Sequence, residues 1–131
     1  MIALESDFII DFLRNNKNAV EKYKEFSDED FVTTQINFFE ILFGIYNKKE
    51  VILREEPIAL SFFDNLTVFD LNKASTIKSA KIAGELVLKG SLIQKNDCMI
   101  AGILLSNGCD KILTRNEKHF SKIKGLKVES Y

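Results

Sequence analysis

Two rhythms of apolar and polar positions run through the chain: short apolar runs, and longer stretches in which apolar residues recur at helical spacing. Ile2–Leu4 is a short run closed by Glu5, Ser6 and Asp7, after which Phe8–Leu13 continues apolar with Asp11 and Arg14 turned outward. The pattern predicts a strand followed by a helix. Asn15–Asn18 breaks that helix, and Ala19–Phe26 forms a second, charged one. The acidic turn Ser27–Asp30 leads into a second strand at Phe31–Thr33, followed by a strongly apolar helix over Gln35–Tyr46. A further helix covers roughly Glu50–Asn65, with Pro57 as a kink or a break. Leu66–Asp70 alternates as a third strand, and Asn72–Lys89 is long and helical with Gly90 placed to end it. Asn96–Asn107 is another helix, closed by Gly108. Lys111–Thr114 reads as a fourth strand, Glu117–Ile123 as a short helix and Leu126–Glu129 as the last strand. Strands separated by helices imply crossover connections. The expected fold is therefore an α/β/α sandwich with a mostly parallel sheet of four to five strands.

Composition narrows the class. With 131 residues, no repeat and no break in composition, residues 1–131 fit one domain with one core. One Pro and six Gly argue against a disordered chain, and eleven Phe supply much of the expected core. No apolar run reaches the roughly 18 residues of a membrane span, so no membrane partner is expected. Met1–Glu5 reaches a carboxylate early and lacks the basic start of a secretion signal. Cys98 and Cys109 fall in or near a predicted helix and read as reduced thiols, which points to the cytoplasm.

A net charge of −1 gives no whole-molecule attraction for a polyanion. Locally, Lys111, Arg115, Lys118, Lys122, Lys124 and Lys127 outnumber Asp110, Glu117 and Glu129. That stretch would suit phosphates, or is simply a solvated face.

Ligands of open parallel sheets bind beyond the carboxyl ends of the strands. Glu5 closes the first strand, and Thr114, Arg115 and Asn116 close the fourth. Glu40 stands at the margin of its helix's apolar face, one turn before Gly44. Asp97 shares one face with Ile100, Ala101 and Leu104, which carries it inward at the start of its helix. Each has an ordinary explanation too: a carboxylate at a helix start for Glu5 and Asp97, an amphipathic boundary for Glu40. Together they put three negative charges near one sheet edge, which is unfavourable without a cation. Hard oxygen donors, with no His cluster and no usable Cys pair, point to Mg²⁺ or Mn²⁺. His119 reads as a surface or helix-cap residue and not as a catalytic one.

Four segments in register resemble a PIN domain of the VapC toxin type. Leu4–Arg14 is similar to that family's opening strand and helix, and Thr34–Gly44 to its helix with an acidic residue ahead of a Gly. Ile93–Gly102 resembles its Asn-Asp-x-x-Ile-Ala segment. Ile112–Phe120 with Gly125–Glu129 resembles its closing Thr-Arg-Asn element and last strand. The resemblance implies a metal-dependent endoribonuclease with Glu5, Glu40 and Asp97 as metal ligands and Asn116 at a fourth position. It further implies that Ser6 and Thr114 orient carboxylates or water, and that Arg115 and Lys118 contact substrate phosphates. A small antitoxin covering the acidic site, and a homodimer, are the implied partners. Two departures stand out: the first position is normally Asp and here is Glu5, and Asn116 is a neutral ligand. Asp7 is then an alternative first ligand.

Two other readings compete. A PIN scaffold with weak catalysis would act by binding alone. A phospho-acceptor receiver domain would use Glu5 or Asp7, Asp70, Thr114 and Lys127, but leaves Glu40 and Asp97 without a role.

Overall fold

The computed structural model describes residues 1–131. The chain runs β1 (Ile2–Leu4), α1 (Ser6–Leu13), α2 (Lys17–Glu25), β2 (Phe31–Thr34), α3 (Gln35–Tyr46), α4 (Ile52–Asp64), β3 (Thr67–Phe69), α5 (Lys73–Leu88), α6 (Lys95–Ser106), β4 (Lys111–Leu113), α7 (Glu117–Phe120) and β5 (Lys127–Glu129). A single 3₁₀ turn, Lys49–Val51, precedes α4. All five strands form one sheet in the order β3-β2-β1-β4-β5, and every pairing is parallel.

Alternation along β1 explains the layers. Ala3 points to a core shared with Val32, Ile112, α5, α6 and Phe120 of α7. Ile2 and Leu4 point to the opposite core, filled by α1–α4 with Phe8, Ile9, Ile41, Ile45 and Phe63. Ile2, Ala3 and Leu4 are all buried, as a central parallel strand covered on both faces requires. The result is an α/β/α sandwich, with the sheet wholly parallel where the sequence pattern predicts mostly so.

The helix boundaries differ from the sequence pattern where local chemistry intervenes. Asn15 adopts a left-handed φ of 58° and ends α1, but Asn16 then caps α2 by accepting from the Ala19 N–H, so that helix starts at Lys17 and not at Ala19. Pro57 does not break the fourth helix: it lies inside α4. It lacks the N–H that would bond the Leu53 carbonyl, but Leu53 is exposed and water can take the orphaned oxygen. α7 stops at Phe120, short of Ile123. Helices α5 and α6 end as the glycines predict. The N–H groups of Gly90 and Ser91 bond Val87 and Leu86, and those of Gly108 and Cys109 bond Leu105 and Leu104; both glycines take left-handed φ.

The strand order excludes the receiver reading. In the flavodoxin-like order that receivers share, the third strand sits beside the first. Here β3 is an edge strand paired only with β2, so Asp70 lies two strands from β1. The chain winds outward from β1 to β2 and β3 and then crosses back to β4 on the other side of β1. The topological switch point is therefore the β1/β4 boundary, between Glu5 and Thr114.

Candidate metal centre

Glu5 leaves the end of β1 and is the N-cap of α1; its side chain accepts from the Asp7 N–H at 3.3 Å. Because β1 is central, this carboxyl is drawn beneath the surface and is 7% exposed. Burial, and then the neighbouring Asp7 carboxylate, push its pKa up to about 8. One Glu5 oxygen faces the Asn37 amide, which donates at 3.3 Å and also donates to the Ser6 hydroxyl at 2.9 Å. Ser6 in turn donates to Glu40 at 2.7 Å. Thr34, the N-cap of α3, fixes Asn37 from behind by donating to its amide oxygen at 2.7 Å. Glu5, Ser6 and Glu40 thus form one hydrogen-bonded group held together by Asn37, with Glu40 half-buried.

The second half of the site hangs from β4. The Thr114 hydroxyl lies 3.4 Å from Glu5 and 3.2 Å from both oxygens of Asp7, and it accepts from the Asn116 N–H at 2.9 Å. Its single proton serves one carboxylate at a time. Asp7 also accepts from the Arg115 N–H at 2.9 Å, tying the turn after β4 to α1. Asp97, in the first turn of α6, is 5% exposed. It is not the cap of that helix, a place taken by Gln94, so its side chain is free to reach His119 Nδ1 at 2.9 Å. Burial raises the Asp97 pKa, while His119 opposes that shift and Asp7 adds to it. Asn116 Nδ2 lies 3.1 Å from the same imidazole nitrogen.

His119 is therefore neither a plain surface residue nor a cap. Sequence periodicity does not single it out, because its contact with Asp97 spans 22 positions. Asn37 escapes the sequence pattern as well, although a signal existed: an Asn three residues after a capping Thr, within an otherwise apolar helix, is 1% exposed and must find partners. Arg115 leans away from the group: its guanidinium pairs with Asp11 at 3.1 Å, over the Tyr131 ring. Lys118 is exposed on α7.

The donors suit a hard divalent cation, being carboxylates, hydroxyls and amides. Two buried acids whose charged forms are disfavoured are the electrostatic setting that such a cation relieves. In the rotamers present, no three acidic, His or Cys side chains converge on one point.

The sequence profile of the PIN domain matches residues 2–126. The chain belongs to the PIN-domain family. Solved structures with this fold cover the PIN chain nearly end to end. VapBC2 from Rickettsia felis, bound to a promoter DNA fragment, is 21% identical with a TM-score of 0.85, over 100% of this chain and 99% of that one. DNA-bound VapBC from Salmonella typhimurium is 24% identical with a TM-score of 0.86, over 98% and 96%. A toxin–antitoxin complex from Klebsiella pneumoniae is 17% identical with a TM-score of 0.74, over 96% and 95%. At these identities the likeness establishes the PIN fold. No curated protein sequence matches the chain. No helix of this PIN domain is long and apolar enough to cross a membrane.

Proposed function

We propose that this PIN domain is a metal-dependent endoribonuclease that hydrolyses RNA phosphodiester bonds, and that it is the toxin of a toxin–antitoxin pair in the cytoplasm. The observation that carries the reading is the buried Glu5 carboxyl at the β1/β4 switch point. It is linked through Asn37 and Ser6 to Glu40, and through Thr114 to the turn bearing Asn116. Nucleases are typical of PIN domains, which adds to it.

Glu5, Glu40 and Asp97 would hold Mg²⁺ or Mn²⁺, with Asn116 as a neutral fourth donor. The bound cation supplies activation of the attacking water and charge neutralisation at the phosphate. The chain's own side chains do the positioning. Ser6 and Asn37 fix the Glu40 and Glu5 oxygens, His119 orients Asp97, and Thr114 shares one proton between Glu5 and Asp7. Asp7, engaged by the Arg115 N–H and Thr114, polarises the site from its rim. Lys118 and the Arg115 guanidinium would contact substrate phosphates, Arg115 after release from Asp11.

Partners follow from two surfaces. A groove of about 140 Å³ between α1, α3 and α4 is lined by Ile10, Leu13, Ile41, Ile45 and Ile58, with Glu40, Arg14, Lys48 and Glu55 as its charged lining. It suits an apolar antitoxin segment that reaches the acidic site, and the open space beside Gly44 widens it. Phe39 and Phe43, stacked at 6.0 Å and exposed on α3, suit a homodimer contact.

A second reading has its own support. The acids do not converge as they stand, and Glu5 replaces the usual Asp, so the same domain would bind RNA with little cleavage. One experiment separates the two: incubation of labelled RNA with the purified chain in Mn²⁺ and in EDTA. Cleavage in Mn²⁺ that EDTA abolishes is the expected result. RNA retained but uncut in both supports the binding scaffold, and equal cleavage in both ends the metal-dependent reading.

A further inference from the structure

On the face away from the apolar groove, α5 presents Lys78, Lys81, Glu85 and Lys89 at intervals of three, four and four residues, which sets them along one side of the helix. Facing them across a groove of about 340 Å³ are Lys122 and Lys124, in the connection from α7 to β5. The floor is apolar and buried, with Ile82 and Ile123. Only folding brings these two lysine sets together, since they lie far apart in the chain. All five lysines are exposed, and none is in an ion pair, although Glu85 lies one turn from both Lys81 and Lys89. Lys22, Lys111 and Lys127, elsewhere on the molecule, are each paired.

A chain with a net charge of −1 thus gathers five unpaired cations around one groove with a single acid. Like charges held on facing walls repel, and a polyanion lying between them removes that repulsion while releasing its own counterions. The groove is also close to the candidate centre. Lys122 follows His119 by three residues, a path of at most about 11 Å at the full extension of a peptide chain. His119 itself touches Asp97.

We infer that the lysine groove between α5 and the α7–β5 connection is a binding track for the phosphate backbone of the RNA strand that enters the acidic centre. The inference rests on the nuclease reading for its choice of RNA. It assigns Lys78, Lys81, Lys89, Lys122 and Lys124 to affinity and not to chemistry. The substrate is then a strand long enough to occupy groove and centre together, and short oligonucleotides would be poor substrates through KM with kcat little changed.

The test is fluorescence anisotropy with an oligouridylate of roughly 20 nucleotides, titrated across a salt series in EDTA so that nothing is cleaved. Three proteins are compared: the parent, the quadruple variant K78Q/K81Q/K122Q/K124Q, and a control of equal charge change on the other side, K17Q/K24Q/K48Q/K49Q. Thermal melting establishes that all three are folded. The groove variant should bind at least about tenfold more weakly, and its slope of log K against log salt should fall by up to about 3, at about 0.7 for each phosphate no longer neutralised. The control should stay within about twofold. Equal weakening in the two variants means net charge acts and not the groove, which overturns the inference. Tighter binding of a duplex DNA of equal length than of RNA also overturns it. If the parent cleaves RNA in Mn²⁺ and the groove variant binds as the parent does, the track fails and the nuclease reading stands. If binding is weakened as expected but the parent cleaves nothing, the track stands and the nuclease reading fails.

Discussion

Glu5 carries two duties that pull against each other. As the N-cap of α1 it is best ionised, since the helix start favours negative charge. As a buried neighbour of Asp7 it is best neutral, and burial wins: its pKa stands at about 8 against an ordinary 4.5. The proton-bound form therefore favours the fold. That contribution is complete below about pH 4.5 and is lost as pH rises to and through about 8. The raised Asp97 acts with the same sign. Glu29, lowered to about 2 by Lys111 and the N-terminus, acts oppositely, but below the Glu5 window. In EDTA, thermal stability should fall between roughly pH 5 and 8.5. Glu5→Gln should flatten much of that decline, and Mn²⁺ should flatten it in the parent by favouring the ionised carboxylate. A parent that loses no stability over this range in EDTA would contradict the buried, uncompensated Glu5. Of this candidate site the sequence made Glu5, Glu40 and Asp97 readable as candidates, because strand ends and helix faces are periodic properties. It did not reveal Asn37 or His119 as members, because their contacts depend on how elements meet.

Among the elements, α5 and α6 are packed most intimately, and Gly102 is the reason. A Cβ at position 102 would lie 2.7 Å from the Ser79 backbone Cα, so at this point α6 lies directly against the main chain of α5. Asp97 lies in the first turn of the same helix, five residues before Gly102. Gly102→Ala gains some helix propensity, about 1 kcal/mol, but backbone cannot yield as a flexible side chain does. The expected outcome is a net destabilisation of about 1–3 kcal/mol, read from denaturant midpoints. A variant as stable as the parent would mean that the helices separate freely. Hydrophobic periodicity located every strand and most helices, since each strand here has its own apolar run. A boundary it misplaced was set by a single polar contact, the Asn16 cap of α2, whereas α4 runs through Pro57 within the span the pattern gave.

At the scale of the whole molecule, the ends of β1 and β4 bring Glu5 and Asp7 to one hydroxyl, that of Thr114, while the α5 flank carries unpaired lysines, a separation that the net charge conceals. The strand order makes the first of these possible. By returning to β4 beside β1, the chain puts residues more than a hundred positions apart, Glu5 and Thr114, within 3.4 Å. The order of strands and helices was readable from the sequence, but the charge separation was not, since Lys78, Lys81 and Lys89 are ordinary surface lysines until Lys122 and Lys124 face them. The central claim is that the acids at the β1/β4 switch point perform RNA hydrolysis. The measurement that reaches it most directly is the rate of RNA cleavage by Asp97→Asn in saturating Mn²⁺, beside the parent at equal folded fraction. Asn retains an oxygen for His119 and leaves the Gln94 cap untouched, so the fold is expected to persist. Altering groups that only orient a metal's ligands costs about 10–100-fold, so removal of a ligand charge should cost more than about 10²-fold. A folded Asp97→Asn protein that cleaves RNA at the parental rate would contradict the account.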